Sequence, residues 1–506
     1  MGLKKRSTYY EITSLNPEVT GSCHLVSVHF PNGRQINFVV DCGLFQEKAY
    51  NQLNDVELPF RGENIEFALV THNHADHTGR LPYLVKSGFK GRIYASKETV
   101  RLMPRSLVDS FKIMKDSYKK KNHKCPYEVE DLEQTISNLT PCVFDQVEYV
   151  DKNIKVTFFE NGHLPGAAII LVQISYPDEK DINLVFTGDY KPTNRFFEVE
   201  EIPSWVYKLD VVVVTEATYG YMDTTEIEYH IEKDFEEHLK AGYTILCSAF
   251  AQQRMQEILW MLQVMQDQNR IDSKIPIRID GNLGQEFCRM YATSELLIKN
   301  NTENFMPKNC TFVTNENREE ILNYHGQQII VTTSGMMDHG PAKIYLKKYI
   351  NRKNVLVYIP GYSSPDTLAY NLQHPEKGMV RLNGKMYEVI AKVMSTNEFS
   401  SHAKADEIIE FLKRFKKLLC VLINHGQHGV KQQFCERVEN EVRAKRVEIL
   451  GQHTFIMSQY GYMKHMGSKW KVPTETKKEL EKRQRERKAK KEKKPNKKCK
   501  KFIWRE

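Results

Sequence analysis

At 506 residues, 41% of them hydrophobic, the chain is too long for one core and can fill two without disulfide or other staples. Its ten cysteines never form a C-x-x-C pair, which reads as reduced thiols in a cytoplasmic protein. No apolar stretch has the length of a signal peptide or membrane span, and Arg6 stands where a myristoylation signal needs Ser or Thr, so secretion, insertion and a lipid anchor are not expected. The net charge of +9 suggests a polyanion binder until it is located: residues 471–506 carry 17 basic and 6 acidic side chains, a net +11, which leaves the body near −2.

In chain order, residues 9–181 read as short strands rich in β-branched residues, with candidates over 24–30, 35–40, 67–71, 92–95 and 154–159. Two charged helices over 96–118 and 127–138 interrupt them. Buried strands are expected over 182–187 and 211–215. From about 216 to 361 helices and strands alternate: helices over 228–239, 252–266, 283–297 and 341–350, strands over 244–248, 277–280, 328–333 and 354–359. That rhythm predicts a parallel sheet flanked by helices. Strands over 385–393 and 418–423 around a helix over 404–415 resume the first pattern, so one domain is expected to interrupt another. Beyond Trp470 the composition is Lys, Arg and Glu with few apolar residues, which cannot bury enough surface to fold alone.

The residues that carry chemistry begin with Phe67-Ala-Leu-Val-Thr-His72-Asn-His74-Ala-Asp76-His77-Thr-Gly79, an apolar strand running into three imidazoles and a carboxylate. Nitrogen and oxygen donors at this density suit zinc. His72 and His74, two apart on extended chain, can face one ion while Asp76 and His77, at a helix start, face a second. His163 and Asp189 also follow strands, in Asn161-Gly-His163 and Thr187-Gly-Asp189. Each alone reads equally as an ordinary turn, and their order after the histidine loop is what marks them. Asp41 ends the strand over 35–40 and is expected to hold the ligand loop by hydrogen bonds rather than touch metal.

The loop resembles the H-x-H-x-D-H signature of the metallo-β-lactamase superfamily. Glu216-Ala-Thr-Tyr-Gly220, Ala249-Phe-Ala-Gln-Gln-Arg254, Thr333-Ser-Gly-Met-Met337, Gly361-Tyr-Ser-Ser-Pro-Asp-Thr-Leu368 and Phe399-Ser-Ser-His402-Ala403 are similar to motifs of its β-CASP subgroup, across residues 10–465. The resemblance implies an α/β fold: an αββα sandwich over 1–209 and 385–466, a β-CASP insertion over 210–384, and a basic, disordered tail over 467–506. It implies two Zn2+, one held by His72, His74 and His163, the other by Asp76, His77 and His402, with Asp189 bridging and His425 supporting the ligands from outside. Without the resemblance, His402 reads as a polar residue before a helix. Subgroup members are nucleases, and those with histidine at the position of His402 act on RNA.

Those implications set the expected function: a ribonuclease in which two zinc ions activate a shared hydroxide, with Asp76 orienting it, cutting RNA internally and in a 5′-to-3′ exonucleolytic mode also left open. Relatives from the pre-mRNA cleavage branch pair an acidic residue, matching Glu216, with a histidine that protonates the leaving oxygen, but Asn371 occupies the position where that histidine is expected. Asparagine cannot serve as an acid. His374, His339 or a water molecule remain as substitutes. Lys404 is a further departure, since relatives often carry Asp there. A DNA repair nuclease of the same subgroup and a non-catalytic RNA-binding scaffold are the competing functions, and a homodimer is left open. The tail is expected to contact RNA through its phosphates.

Overall fold

The structure, a computed structural model, describes residues 7–470 apart from 121, 296–297, 300–303, 362, 364–366, 377 and 469, together with 478 and 482. The basic tail beyond Trp470 and the centre of the 361–368 motif thus lie outside the described residues.

Two sheets stack face to face. The first runs Gly461–Met466, Thr454–Ser458, Tyr9–Ser14, His24–His29, Gln35–Val40, Phe67–Leu69, Arg92–Ser96, Leu139–Cys142. The second runs Val447–Ile449, Lys417–Ile423, Asp210–Thr215, Ile182–Phe186, Ala168–Ile174, Ile154–Glu160, Val147–Asp151. Their inner faces form one core, in which Tyr10, Val26 and Phe38 from the first meet Phe158, Ile170, Leu184, Val212 and Leu422 from the second. Helices cover both outer faces. Lys97–Lys120 buries Met103, Leu107 and Phe111 against the first sheet, and Ala405–Lys413 and His428–Glu441 bury Ile408, Phe411, Phe434 and Val438 against the second. The four layers are the expected αββα sandwich.

A third sheet, Cys310–Phe312, Ile277–Asp280, Ile329–Thr332, Thr244–Ser248, Val355–Pro360, Lys392–Thr396, is parallel throughout. Its four inner strands are largely buried on both faces, with Ile231–Lys240, Arg254–Asp267 and Asn282–Ala292 on one side and Ala342–Tyr349 and Leu368–Gln373 on the other. Helix Lys97–Lys120 touches both bodies: Leu102 enters the core of the insertion while its neighbour Met103 stays with the sandwich.

Sheet membership moves both expected boundaries of the insertion. Asp210–Thr215, placed at its start, pairs in parallel with Ile182–Phe186 and Lys417–Ile423 and belongs to the second sheet. The strand expected over 385–393 is two. Lys385–Glu388 folds back on Met379–Leu382 through Asn383-Gly384, both at positive φ, the backbone that an Asn-Gly hairpin turn requires. Lys392–Thr396 then becomes the edge strand of the third sheet. Asp210–Thr215 is buried on both faces and would look the same in any parallel sheet, so only its pairing partners reveal which sheet it joins. Phe38 lies at the centre of the sandwich, stacked on Phe67 at 4.8 Å between ring centroids. Phe38→Ala is expected to destabilise the protein by about 3–5 kcal/mol in denaturant unfolding; a decrease below about 1 kcal/mol would contradict a core shared by the two sheets.

Candidate metal centre

Six strands deliver polar residues to one edge of the sandwich. In the second sheet Ile154–Glu160, Ile182–Phe186, Asp210–Thr215 and Lys417–Ile423 point the same way and are followed by His163, Asp189, Glu216 and His425. In the first sheet Phe67–Leu69 leads into His72, His74, Asp76 and His77, and Gln35–Val40 into Asp41. A buried strand satisfies its own backbone, and its side chains beyond the last ladder bond are free to converge.

Backbone bonds hold the ligand turn. Ser22 N donates to Asp76 O, Cys42 N to His77 O and Leu44 N to Ala75 O, each at 2.8–2.9 Å. This strap lies so close that a Cβ on Gly43 would stand 1.6 Å from Asp76 O, so only glycine fits. Asp41 accepts from Thr71 N at 2.8 Å and from His77 Nδ1 at 2.8 Å, which leaves His77 Nε2 facing inward.

The donor atoms fall into three overlapping groups: His72, His74, His163 and Asp189; Asp76, His77 and His425; and Asp189, Glu216 and His425. Asp189 Oδ2 stands 3.6 Å from both His72 Nε2 and His163 Nε2, while its Oδ1 stands 3.2 Å from both His77 Nε2 and His425 Nε2. Within the groups, His163 Nε2 faces His74 Nδ1 at 3.2 Å and His77 Nε2 faces His425 Nε2 at 3.3 Å. Two nitrogens bound at about 2.0–2.1 Å to one tetrahedral ion stand about 3.3 Å apart. His72 Nε2 and Asp189 Oδ1 are buried and make no hydrogen bond, the condition of donors waiting for a cation. The residues therefore fit a pair of metal ions.

The electrostatics point the same way. Burial pushes the His72 and His163 imidazoles well below their ordinary pKa, into the neutral form that offers a lone pair. Burial would raise Asp189, but His425, His77 and His402 hold it well below the carboxylate range. Asp76, against the same burial cost, is held down to about 2, chiefly by His425, whose Nε2 lies 3.8 Å from its Oδ2.

His425 and His402 stand otherwise than expected. His425, expected to support the ligands, is in a donor group with Asp76 and His77, and it faces Asp189. His402, expected as a ligand, is in none of the donor groups. Its Nδ1 is bound to Glu216 at 2.9 and 3.1 Å, and its Nε2 lies 3.8 Å from Asp189 Oδ2. Glu216, 1% exposed, therefore orients His402 and not a histidine near position 371. Burial would lower the His402 pKa, but Glu216 and then Asp189 outweigh it and raise it to about 9. Asn371 and His374 are exposed on or just beyond Leu368–Gln373, and His374 bonds Tyr370 O at 3.0 Å and stacks on the Tyr370 ring. His339 is exposed in its loop, its backbone against Ser334. Neither belongs to the donor groups. The signal for His425 was its place directly after a strand, shared with His163 and Asp189.

The insertion closes one side of the centre. Asn73, between His72 and His74, exchanges two amide bonds with Gln252, Nδ2 to Oε1 at 3.0 Å and Nε2 to Oδ1 at 2.9 Å. Gln252 lies in the loop after the strand Thr244–Ser248.

Three family models match the chain in order: "Metallo-beta-lactamase superfamily" over residues 18–227, "Beta-Casp domain" over 255–372 and "Zn-dependent metallo-hydrolase RNA specificity domain" over 386–454. The chain is 29% identical over 427 residues to "Ribonuclease TTHA0252" of Thermus thermophilus, covering 81% of this chain and 91% of that protein. It is 28% identical over 438 residues to "Transcription termination factor FttA" of Methanosarcina mazei, covering 81% and 66%, and 26% identical over 461 residues to "Endoribonuclease YSH1" of Candida glabrata, covering 84% and 56%. Against the last two it therefore spans less than two thirds of the relative's length. Sandwich, parallel-sheet insertion and histidine–aspartate edge together agree with these matches: the chain belongs to the metallo-β-lactamase superfamily of metal-dependent hydrolases, in its β-CASP branch.

Proposed function

We propose that this protein is a zinc-dependent ribonuclease that cuts RNA phosphodiester bonds internally. The observation that carries the reading is Asp189, one oxygen toward each donor group, beside an imidazole held by Glu216. The nitrogen and oxygen donors and their tetrahedral spacing favour zinc. His72, His74 and His163 would hold one ion, Asp76, His77 and His425 the other, and Asp189 both. Bound there, the pair supplies Lewis acidity toward the phosphodiester and makes water easier to deprotonate.

The chain's own groups do the rest. Asp76, half-buried and ionised at neutral pH, accepts a hydrogen bond from the attacking water and orients it. His402 carries a proton, its Nδ1 fixed by Glu216 and its Nε2 turned toward the centre, and gives that proton to the leaving 3′-oxygen. The products are a 3′-hydroxyl and a 5′-phosphate. RNA is favoured over DNA by the description of the model matched at 386–454 and by the ribonuclease names of the relatives. A complete donor set speaks against a non-catalytic scaffold. No helix among the described residues is long and apolar enough to cross a membrane.

Purified protein is expected to hold two zinc ions per chain by elemental analysis, and His77→Ala or His425→Ala to lose both metal and cleavage. His402→Ala should keep its zinc yet cleave RNA about 10²–10⁴-fold more slowly, recovering on a phosphodiester with a p-nitrophenyl leaving group, which needs no proton. Loss of zinc from the His402 variant would return that residue to the ligands. Asp41→Asn frees the His77 ring and should weaken metal binding about 10–100-fold in chelator competition; unchanged affinity would deny Asp41 its orienting role. Faster cleavage of a DNA oligonucleotide than of RNA of the same sequence would favour the repair-nuclease alternative. Truncation after Trp470 should spare short RNA but flatten the salt dependence of binding to long RNA, by about 0.7 in log–log slope for each phosphate that the tail no longer neutralises. Equal slopes would show that the tail binds no RNA.

A further inference from the structure

The wall beside His402 continues outward as aromatic rings. The Tyr219 ring lies 6.1 Å from the His402 ring, and the Tyr221 ring 6.2 Å from that of Tyr219. Tyr221 is 52% exposed, unusual for so large a ring next to a buried polar centre. The segment is fixed to the backbone that carries His402: Tyr219 bridges Lys404 in parallel, and Ala405 N donates to Met222 O at 2.9 Å. Beneath Tyr219, the Lys404 ammonium stands 3.5 Å from the ring centroid. That ammonium is fully buried and makes no hydrogen bond among the described residues; burial and then Lys191 push its pKa down to about 8, while Glu407, Glu216 and Asp406 offset its charge.

We infer that Tyr221, with Tyr219 behind it, is a stacking site for the bases of RNA on the 5′ side of the cleaved bond. This rests on the reading of His402 as the acid. When a 3′-oxygen leaves, it belongs to the upstream nucleoside, so the group that protonates it must adjoin that nucleoside and not the downstream one. The His402 wall is thus the upstream wall, and the rings that lead away from it meet upstream bases first. Every base has a π face, so a half-exposed tyrosine accepts them without regard to sequence. The site therefore gives RNA a direction through the cleft, the 5′ portion leaving along Tyr219 and Tyr221.

A double-mutant cycle on single-stranded RNA tests this. The cut site in a defined oligonucleotide is mapped by mass spectrometry, and versions lacking one base, either two nucleotides upstream or two downstream of the cut, are compared with the intact RNA. Tyr221→Ala is expected to lower kcat/KM on intact RNA about tenfold, mostly through KM. The upstream abasic RNA should lose a similar factor with the unaltered protein and nothing further with Tyr221→Ala, while the downstream abasic penalty adds in full. Tyr221→Phe should behave as the unaltered protein, which separates stacking from the hydroxyl. Coupling to the downstream base, or to neither base, overturns the inference and leaves the ribonuclease reading intact. Absence of RNA cleavage by unaltered, zinc-loaded protein overturns both.

Discussion

The arrangement around Asp189 constrains everything else in this molecule. Folding brings Asp41, Asp76, Asp189 and Glu216 to one largely buried edge of a sandwich, and six imidazoles are packed among them. Buried carboxylates repel each other strongly unless positive charge lies between them. Against burial, Glu216 and Asp189 raise His402, and Asp189 and Asp41 raise the equally buried His77, whereas for His72 and His163 burial outweighs Asp189 and favours the neutral ring. The remaining negative charge is a binding energy for cations. The strands end where they do, and the Gly43 strap presses on the ligand turn as closely as it does, because each donor must be delivered to a fixed point by a rigid element.

Much of this was legible along the chain, and the limit has a physical cause. The loop from His72 to His77 declares itself because four donors sit on one short segment, whose backbone alone decides where they point. His163 and Asp189 could be found from their order after strands. The roles of His402 and His425 could not be separated in that way. Both are histidines in loops near the end of the chain; what distinguishes them is Glu216, 186 residues before His402 in sequence and 2.9 Å from it in space. A hydrogen bond across that separation leaves no local trace. The sandwich and the inserted parallel sheet were both legible as patterns, whereas the membership of Asp210–Thr215 and Lys392–Thr396 was not: the first is buried on both faces and would look the same in any parallel sheet, and the second is a largely exposed edge strand with no apolar run to mark its partner.

The insertion does more than narrow the cleft. The body before residue 471 has almost no net charge, so it cannot gather a polyanion by long-range attraction. What the cleft offers are local features: the metal donors, the buried Lys404 ammonium and a wall of rings. Recognition built from such parts is short-ranged and tolerant of sequence.

The reciprocal amide pair between Asn73 and Gln252 has a thermodynamic corollary. It ties the loop bearing His72 and His74 to the insertion, so the two cannot shift independently without breaking two buried hydrogen bonds. Whatever orders the loop also favours the docked position of the insertion, and by reciprocity a docked insertion raises the affinity of the loop for its ions. Cation occupancy and cap position are then two readings of one equilibrium, and a nucleic acid that pries the cap loose must do so against the grip of the metals beneath it.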